Sequence, residues 1–280
     1  MSLTDPGIGI RWTIGDVSDR GFEALRLSVW GARRVFGPRA AYAVCCNTLP
    51  LAAVRAKAGT LPEGVEWHAA GGEVPAWIRP HLDAGMAEGV AWKFVPLRLF
   101  PERYELALDN DCILWDLPEA IRRWREPGAP RCCVMAEDVR PAFGQFAPLC
   151  GPEPRNSGIR GLPPGFDLEA ALREAVERAS SLLGRPVLLT SELDEQGLQA
   201  AALALQGPVL AVRTEEVTIC SPFWPHQPEL GRCGAHFVGL NARHIAWNYY
   251  DRPADDWMRD HWARHLETLH ARTGAPRSDA

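Results

Sequence analysis

The 280-residue sequence predicts an α/β fold in which a mixed, mostly parallel sheet is flanked by helices. Three observations predict it. Continuous apolar runs such as Ala41 to Cys46 are typical of strands covered on both faces. Segments with helical apolar spacing alternate with these runs along the chain. Finally, the apolar run Tyr104 to Leu108 leads directly into an Asp-x-Asp motif at residues 109–111.

The N-terminal elements are expected in the order strand, helix, strand, strand. The first strand is predicted at Ile10 to Ile14. A helix follows from Asp19 to Phe36, and Gly37-Pro38 ends it. The next strand is Ala41 to Cys46, and a further short strand is predicted at Val65 to His68.

The remaining chain predicts four helices, two strands and one irregular segment. The expected helices are Leu117 to Arg125, Asp167 to Leu182, Asp194 to Leu205 and Asp255 to Leu269. The expected strands are Arg131 to Ala136 and Val209 to Val212. The Gly- and Pro-rich segment from Pro141 to Gly165 is expected to be a loop, and loops of that length in compact domains are often functional.

Composition excludes some classes of function. The hydrophobic content of 46% supports a sizeable core, and the formal net charge is -5. No run of Lys or Arg suggests a nucleic-acid surface, so we expect no nucleic-acid partner. The sequence has no apolar stretch of spanning length and no signal-like N-terminus, so we expect a cytoplasmic protein without a transmembrane segment. Peripheral membrane association stays open.

The eight cysteines are expected to be buried free thiols. Cys45-Cys46 and Cys132-Cys133 lie inside apolar runs, and no pair has Cys-x-x-Cys spacing. Structural zinc is therefore not expected, and the pattern suits a reducing compartment.

The Asp-x-Asp motif suggests metal chemistry. Asp109 and Asp111 follow a buried strand, where two carboxylates can share a hard divalent cation that in turn holds a diphosphate. The motif is also compatible with an ordinary strand-end turn, because Asp and Asn favour such turns. Its interpretation depends on the rest of the chain.

Further segments accompany Asp-x-Asp in a recognisable order. Trp92-Lys93-Phe94 precedes it, and Asn156-Ser157-Gly158, Asp194-Glu195-Gln196 and His236-Phe237-Val238-Gly239 follow it. This series resembles the GT-A glycosyltransferases, most closely glycosyltransferase family eight. The resemblance implies a single GT-A-like domain over residues 1–280. Residues 1–120 or so would form its nucleotide-binding half, and residues 121–280 its acceptor-side half.

The resemblance also implies roles for individual residues. Asp109, Asp111 and His236 would hold the metal. Asp194 and Glu195 would line the reaction centre and bind hydroxyl groups of the donor sugar. The remaining substrate contacts would come from Thr13, Gly15, Asp16, Lys93, Asn156 and Arg243.

The chemistry agrees with these roles. A bound cation stabilises a nucleoside diphosphate as the leaving group. Two carboxylates and one imidazole favour Mn²⁺ over Mg²⁺. The nucleotide is expected outside the carboxyl ends of the strands. The implied partners are a nucleoside-diphosphate sugar as donor and a sugar, lipid or small molecule as acceptor.

Alternatives remain open at the sequence level. The family's Lys-Pro-Trp after His-Phe-x-Gly is replaced by Leu240-Asn241-Ala242-Arg243, and Asp-Gln-Asp by Asp-Glu-Gln, which also fits a non-catalytic sugar-nucleotide-binding relative. An apolar strand ending in Asp-x-Asp is also the signature of haloacid-dehalogenase-like phosphohydrolases, with the first Asp as nucleophile. Asp194 could instead cap the helix that follows it. Retention of the anomeric configuration is implied by family resemblance alone, and inversion would need a base such as Asp138, Asp194 or Glu195.

Overall fold

The fold is a mixed sheet with helices on both faces. A computed structural model describes residues 7–71, 74–83, 91–126, 131–220, 229–241, 248–249 and 252–277. Its strands are β1 (Ile8–Ile14), β2 (Ala41–Cys46), β3 (Val65–Ala69), β4 (Tyr104–Leu108), β5 (Cys112–Leu114), β6 (Cys133–Ala136), β7 (Asn156–Leu162), β8 (Val209–Val212), β9 (Val217–Cys220), β10 (Gly234–Phe237), β11 (Asn248–Tyr249) and β12 (Arg252–Pro253). Its α-helices are α1 (Asp19–Phe36), α2 (Leu51–Ala58), α3 (Glu119–Trp124), α4 (Ala147–Cys150), α5 (Leu168–Leu183), α6 (Glu192–Leu205) and α7 (Ala254–Thr273).

Seven strands form the main sheet in the order β3-β2-β1-β4-β7-β6-β8. Strand β1 is parallel to β2 and β4, whereas β7 runs antiparallel to both β4 and β6. The predicted mixed, mostly parallel α/β sheet is therefore confirmed. The topology brings the carboxyl ends of β1 and β4 and the amino end of β7 to one edge of the sheet.

A second, three-stranded sheet in the order β5-β10-β9 continues from this edge. Strand β5 begins right after Asp-x-Asp, and antiparallel pairing places His236 of β10 opposite Cys112 of β5. Buried apolar side chains such as Phe237 and Trp262 join this sheet to α1 and α7. The pairing fixes the position of His236 next to Asp111, although the two residues are far apart in sequence.

The two faces of the main sheet carry different layers. On one face, Trp12 and Leu106 pack against α1 through residues such as Leu25. On the other face, Met135 packs with α5 and α6 through residues such as Leu198. The β1–β4 part of this second face carries buried charged groups instead of apolar ones, and they form the floor of the candidate site.

Most predicted elements agree with the structure. Helix α1 has the predicted bounds, because Ser18 accepts a hydrogen bond from the Gly21 amide at its start and Gly37, with φ of 72°, ends it. Helix α6 begins at Glu192, two residues before the predicted start, with Ser191 as its N-cap. All eight cysteines are buried free thiols, as expected. Among the described helices, none is long and apolar enough to cross a membrane.

The prediction of an irregular loop over residues 141–165 is wrong. This segment contains a 3-10 turn at Gly144–Phe146, helix α4 and the fully buried strand β7. Strand β7 was predicted as a loop because of its glycines, and close packing requires these glycines. A Cβ atom at Gly158 would lie 2.3 Å from the His236 ring, and one at Gly161 would lie 2.9 Å from Trp124. The sequence prediction also omitted α2, β5, β9 and β10, which are short.

Candidate active site

A cavity of about 320 Å³ opens at the edge where β1, β4 and β7 meet. Thr13, Gly15 and Asp16, at and beyond the end of β1, line one side of it. Asp109 follows β4 and also lines it, together with Lys93. The predicted nucleotide-contacting residues and one predicted metal ligand thus share one cavity. Arg243 lies outside the described residues.

Asp109, Asp111 and His236 converge beside this cavity. Each offers one ligand atom, and these atoms lie within 4.8 Å of one another. His236 Nε2 lies 3.3 Å from Asp111 Oδ1 and 3.6 Å from Asp109 Oδ2. Burial alone would lower the pKa of His236, but Asp111 and Asp109 outweigh burial and raise it.

The residues present fit a divalent cation. Asp111 Oδ1 is buried and lies 3.3 Å from His236 Nε2, and it has no conventional hydrogen-bond donor among the described residues. Two ligand atoms that face each other this closely, one from a carboxylate and one from an imidazole, are the arrangement that a shared cation would complete. Two carboxylate oxygens and an imidazole nitrogen form a mixed set of ligands that divalent transition metals accept.

Lys93 occupies the centre of the site. Its Nζ donates to Asp109 Oδ2 at 2.8 Å and to Ser157 Oγ at 2.9 Å, and it lies 3.5 Å from Glu195 Oε2. Burial would lower the pKa of Lys93, but Asp109 and Glu195 raise it above its ordinary value. The lysine therefore keeps its charge. Arg11 fixes the backbone of this segment by donating to the Pro96 carbonyl at 2.6 Å.

Glu195 lies against Lys93 and is buried. Its Oε2 accepts a hydrogen bond from Ser157 Oγ at 3.4 Å, and its Oε1 accepts a hydrogen bond from Gln199 on the next turn of α6. Burial raises the pKa of Glu195 to about 7, with Lys93 opposing the shift and Asp109 adding to it. Of the predicted pair Asp194 and Glu195, Glu195 is therefore the residue whose carboxyl group reaches the site.

Asp194 has different partners. One of its carboxylate oxygens accepts from the Gln145 amide at 2.9 Å, and the other accepts from the Thr190 amide at 2.9 Å and from the Thr190 hydroxyl at 3.0 Å. Burial would raise the pKa of Asp194, but these hydrogen bonds outweigh burial and lower it. The N-cap is Ser191, so Asp194 does not cap α6 by itself. It ties the start of the helix to the turn at Gly144–Phe146.

Asn156 is the first residue of β7 and is buried. Its side chain donates to Asp138 Oδ2 at 3.0 Å and accepts from the Gly158 amide at 2.8 Å. Gln196 Nε2 lies 3.4 Å from the same Asp138 oxygen. Asn156 therefore belongs to a polar cluster behind Ser157, and Asp138 is held inside that cluster.

Asn241 is a site residue that the sequence did not single out. Its Nδ2 donates to Asp111 Oδ2 at 3.1 Å and to Asn110 Oδ1 at 3.0 Å, and its Oδ1 accepts from Asn110 Nδ2. Asn110 also donates to the Gly21 carbonyl on α1. The two amides orient the free oxygen of Asp111 toward His236. The sequence signal that could have identified Asn241 was its position two residues after Gly239 of the His-Phe-x-Gly segment.

The comparisons with known proteins agree with this geometry at the level of the fold. No protein-family model matches the sequence, and no curated protein matches it. Among solved structures, the galactosyltransferase LgtC in complex with donor and acceptor sugar analogues has a TM-score of 0.50 at 15% identity, over 97% of both chains. The mouse xyloside xylosyltransferase 1 has a TM-score of 0.55 at 12% identity, over 84% of this chain and 98% of that one. The bifunctional glycosyltransferase WbbM has a TM-score of 0.53 at 12% identity, over 97% of this chain and 52% of that one.

The protein therefore has the fold of the GT-A glycosyltransferases, as the sequence predicted. At these identities the comparisons establish the fold, while the substrates of this chain must be inferred from its own residues. The phosphohydrolase alternative rested on the Asp-x-Asp strand of a different fold and is not supported.

Proposed function

We propose that this protein is a metal-dependent glycosyltransferase that moves a sugar from a nucleoside-diphosphate sugar to an acceptor. The observation that carries the proposal is the convergence of Asp109, Asp111 and His236 next to the lysine Lys93 and the carboxyl group of Glu195. The acceptor class is a sugar, a lipid or another small molecule with a hydroxyl group. The GT-A fold supports the same activity class.

In this proposal Asp109, Asp111 and His236 hold the cation, with Mn²⁺ favoured over Mg²⁺ because one ligand is an imidazole. When bound, the cation supplies Lewis-acid stabilisation of the diphosphate leaving group. Thr13, Gly15 and Asp16 form the edge against which the nucleotide lies. This places the nucleotide at the carboxyl end of β1, where open α/β sheets bind ligands.

Lys93 and Glu195 stabilise charges of opposite sign that develop on the two parts of the donor. Breaking the glycosidic bond leaves negative charge on the diphosphate and positive character on the sugar. Lys93 donates to the diphosphate side, and the carboxylate of Glu195 stabilises the sugar side. The role that the sequence gave jointly to Asp194 and Glu195 falls to Glu195, because the Asp194 carboxylate is saturated by Gln145 and Thr190.

The proposal is tested by incubating the protein with Mn²⁺ and a panel of nucleoside-diphosphate sugars, and by measuring the nucleoside diphosphate released. We expect release from at least one donor, by transfer or by slow hydrolysis, and loss of release in Asp109→Asn. Asp256→Asn, at a half-buried carboxylate on α7 that pairs with Arg259 and does not line the site, serves as the control. Failure of every donor to bind or react would contradict the proposal.

Binding of a sugar nucleotide without transfer is a second candidate. It is favoured by the short contact between Lys93 and Asp109, which neutralises one metal ligand, and by the replaced segment after Gly239. The same panel separates the two functions. Binding measured by calorimetry without any release of nucleoside diphosphate would support the binding protein and contradict the transferase.

A further inference from the structure

Arg160 is a buried guanidinium on β7 with unused hydrogen-bonding capacity. Its side chain is 2% exposed, and Nη1 donates to Gln199 Oε1 at 2.6 Å. Nε and Nη2 have no hydrogen-bond partner in the part of the chain that the structure describes. Burial lowers the pKa of Arg160 to about 10, so the group is still cationic at neutral pH. A buried cation in this state requires a partner that the described residues do not supply.

The nearby acids are already engaged. Glu105 Oε1 lies 3.3 Å from Arg11 Nε, and Glu105 Oε2 accepts hydrogen bonds from two backbone amides at 2.5 and 2.7 Å. Glu195 lies 3.5 Å from Lys93. Glu105 and Glu195 favour the charged form of Arg160 only from a distance, and among the described residues no carboxylate forms an ion pair or a hydrogen bond with this guanidinium.

Arg160 lines the same cavity as Lys93 and Asp109. The strand register places Ala107 of β4 between Arg11 of β1 and Arg160 of β7, and all three residues line the cavity. The single methyl group of Ala107 leaves room for a ligand between the two guanidinium-bearing residues. Gln199 of α6 also lines this cavity.

The order of strands indicates which part of a donor would reach Arg160. The nucleotide edge is at the end of β1, and the cation ligand Asp109 follows β4. The next strand across the sheet is β7, which carries Arg160 under α6. A donor laid out in this order has its nucleotide over β1, its diphosphate at Asp109 and its sugar over β7.

We propose that Arg160 binds a carboxylate on the transferred sugar, so that the donor is a nucleoside-diphosphate hexuronate. This inference rests on the proposed glycosyltransferase function. The Nε–H and one Nη2–H of a guanidinium point in the same direction, and together they match the two oxygens of a carboxylate. A neutral hydroxymethyl group would leave the buried cation unpaired, and sites of that kind reject the wrong substrate strongly.

The test compares three pairs of donors that differ at C6 only, each with Mn²⁺. The pairs are UDP-glucose with UDP-glucuronate, UDP-galactose with UDP-galacturonate, and GDP-mannose with GDP-mannuronate. Affinity is measured by calorimetry, and nucleoside diphosphate release is measured in parallel. We expect at least one uronate to bind about a hundredfold more tightly than its matched hexose. Equal affinity within each pair, or a preference for the hexose, would overturn the carboxylate subsite and leave the proposed function intact.

The variant Arg160→Met assigns the preference to this residue. It keeps the length of the side chain and removes the charge, so we expect the uronate to lose most of its hundredfold advantage while the hexose changes by only a few-fold. Arg178→Met, on the exposed face of α5, is the control for loss of a positive charge. A preference for the uronate that survives in folded Arg160→Met would overturn the assignment to Arg160. If none of the six donors binds or reacts while another nucleoside-diphosphate sugar of the wider panel does, the hexuronate inference fails and the proposed function stands. If no donor of the wider panel binds or reacts, both fail.

Discussion

Lys93 donates a hydrogen bond to Asp109 over 2.8 Å, so a protein cation and a proposed metal ligand are in direct contact. The same lysine lies 3.5 Å from Glu195, so one side chain joins the proposed metal ligands to the proposed reaction centre. Under the proposed function, a divalent cation at Asp109 would displace the lysine from this contact and let it turn toward a diphosphate. Under the same proposal, Lys93 is a competitor of the metal in the absence of donor and a ligand of the diphosphate once the donor is bound.

Replacing Lys93 by Met should raise cation affinity and lower turnover. Removal of a positive charge this close to Asp109 strengthens binding of Mn²⁺, by about tenfold, because like charges repel strongly in a partly buried site. Release of nucleoside diphosphate should fall because the diphosphate loses its fixed cation. Mn²⁺ titration and release assays measure the two effects. Lys57→Met, at an exposed lysine that contacts Asp19, should change neither, and weaker Mn²⁺ binding in Lys93→Met would refute the competition.

Asn241→Ala should weaken Mn²⁺ binding by about tenfold, because partners that orient a metal ligand typically contribute at least this much. The amide of Asn241 holds Asp111 Oδ2 and leaves Oδ1 facing His236. The measurement is a Mn²⁺ titration of the two proteins. Gln206→Ala, at an exposed amide on the far end of α6, is the control. Unchanged affinity in Asn241→Ala would mean that Asp111 needs no such support.

Asp194→Asn and Glu195→Gln should separate stability from turnover. Asp194 accepts charge-assisted hydrogen bonds at the start of α6, so its amide variant should lose about 2 kcal/mol of unfolding free energy. Glu195→Gln should instead lower the turnover number by about a hundredfold with little change in donor affinity. Chemical denaturation and steady-state kinetics measure these quantities. The reverse pattern would move the reaction centre from Glu195 to Asp194.

The buried Glu195 predicts a pH dependence of stability in the protein kept free of metal with a chelator. Burial raises the pKa of Glu195 from 4.5 to about 7 in the folded state. The folded state holds the proton of Glu195 more tightly than the unfolded state does. The resulting contribution to the unfolding free energy is therefore fully present below pH 4.5 and is lost as the pH rises through about 7. The unfolding free energy of the wild type should therefore fall over this window relative to that of Glu195→Gln. Parallel curves for the two proteins would contradict the raised pKa.

The sequence predicted the parts of the fold that depend on local patterns. Helix α1 has a cap at Ser18, a regular apolar face and a stop at Gly37, so its bounds could be read directly. Strand β4 was visible because its apolar run ends in Asp-x-Asp. In contrast, the glycines of β7 are explained by the His236 and Trp124 rings, which come from distant parts of the chain.

The same limit applies to the candidate site. Asp109 and Asp111 could be identified from a local motif, and His236 and Lys93 from an ordered series of segments. The structure brings these four together, but their distances depend on the pairing of β5 with β10. Asn241 and Arg160 were missed because their importance lies in contacts with residues that are far away in sequence, and no local pattern records such contacts.

The cation site is tested most directly by a Mn²⁺ titration of the wild type and of Asp111→Asn, monitored by the binding of the metal itself. Asp111 is buried, and its Oδ1 faces His236 Nε2 at 3.3 Å. Its amide variant keeps the shape and removes the charge. We predict one Mn²⁺ site in the wild type and at least about tenfold weaker binding in Asp111→Asn, with Asp256→Asn equal to the wild type. Equal Mn²⁺ affinity in Asp111→Asn and the wild type would contradict the metal site on which the proposed function depends.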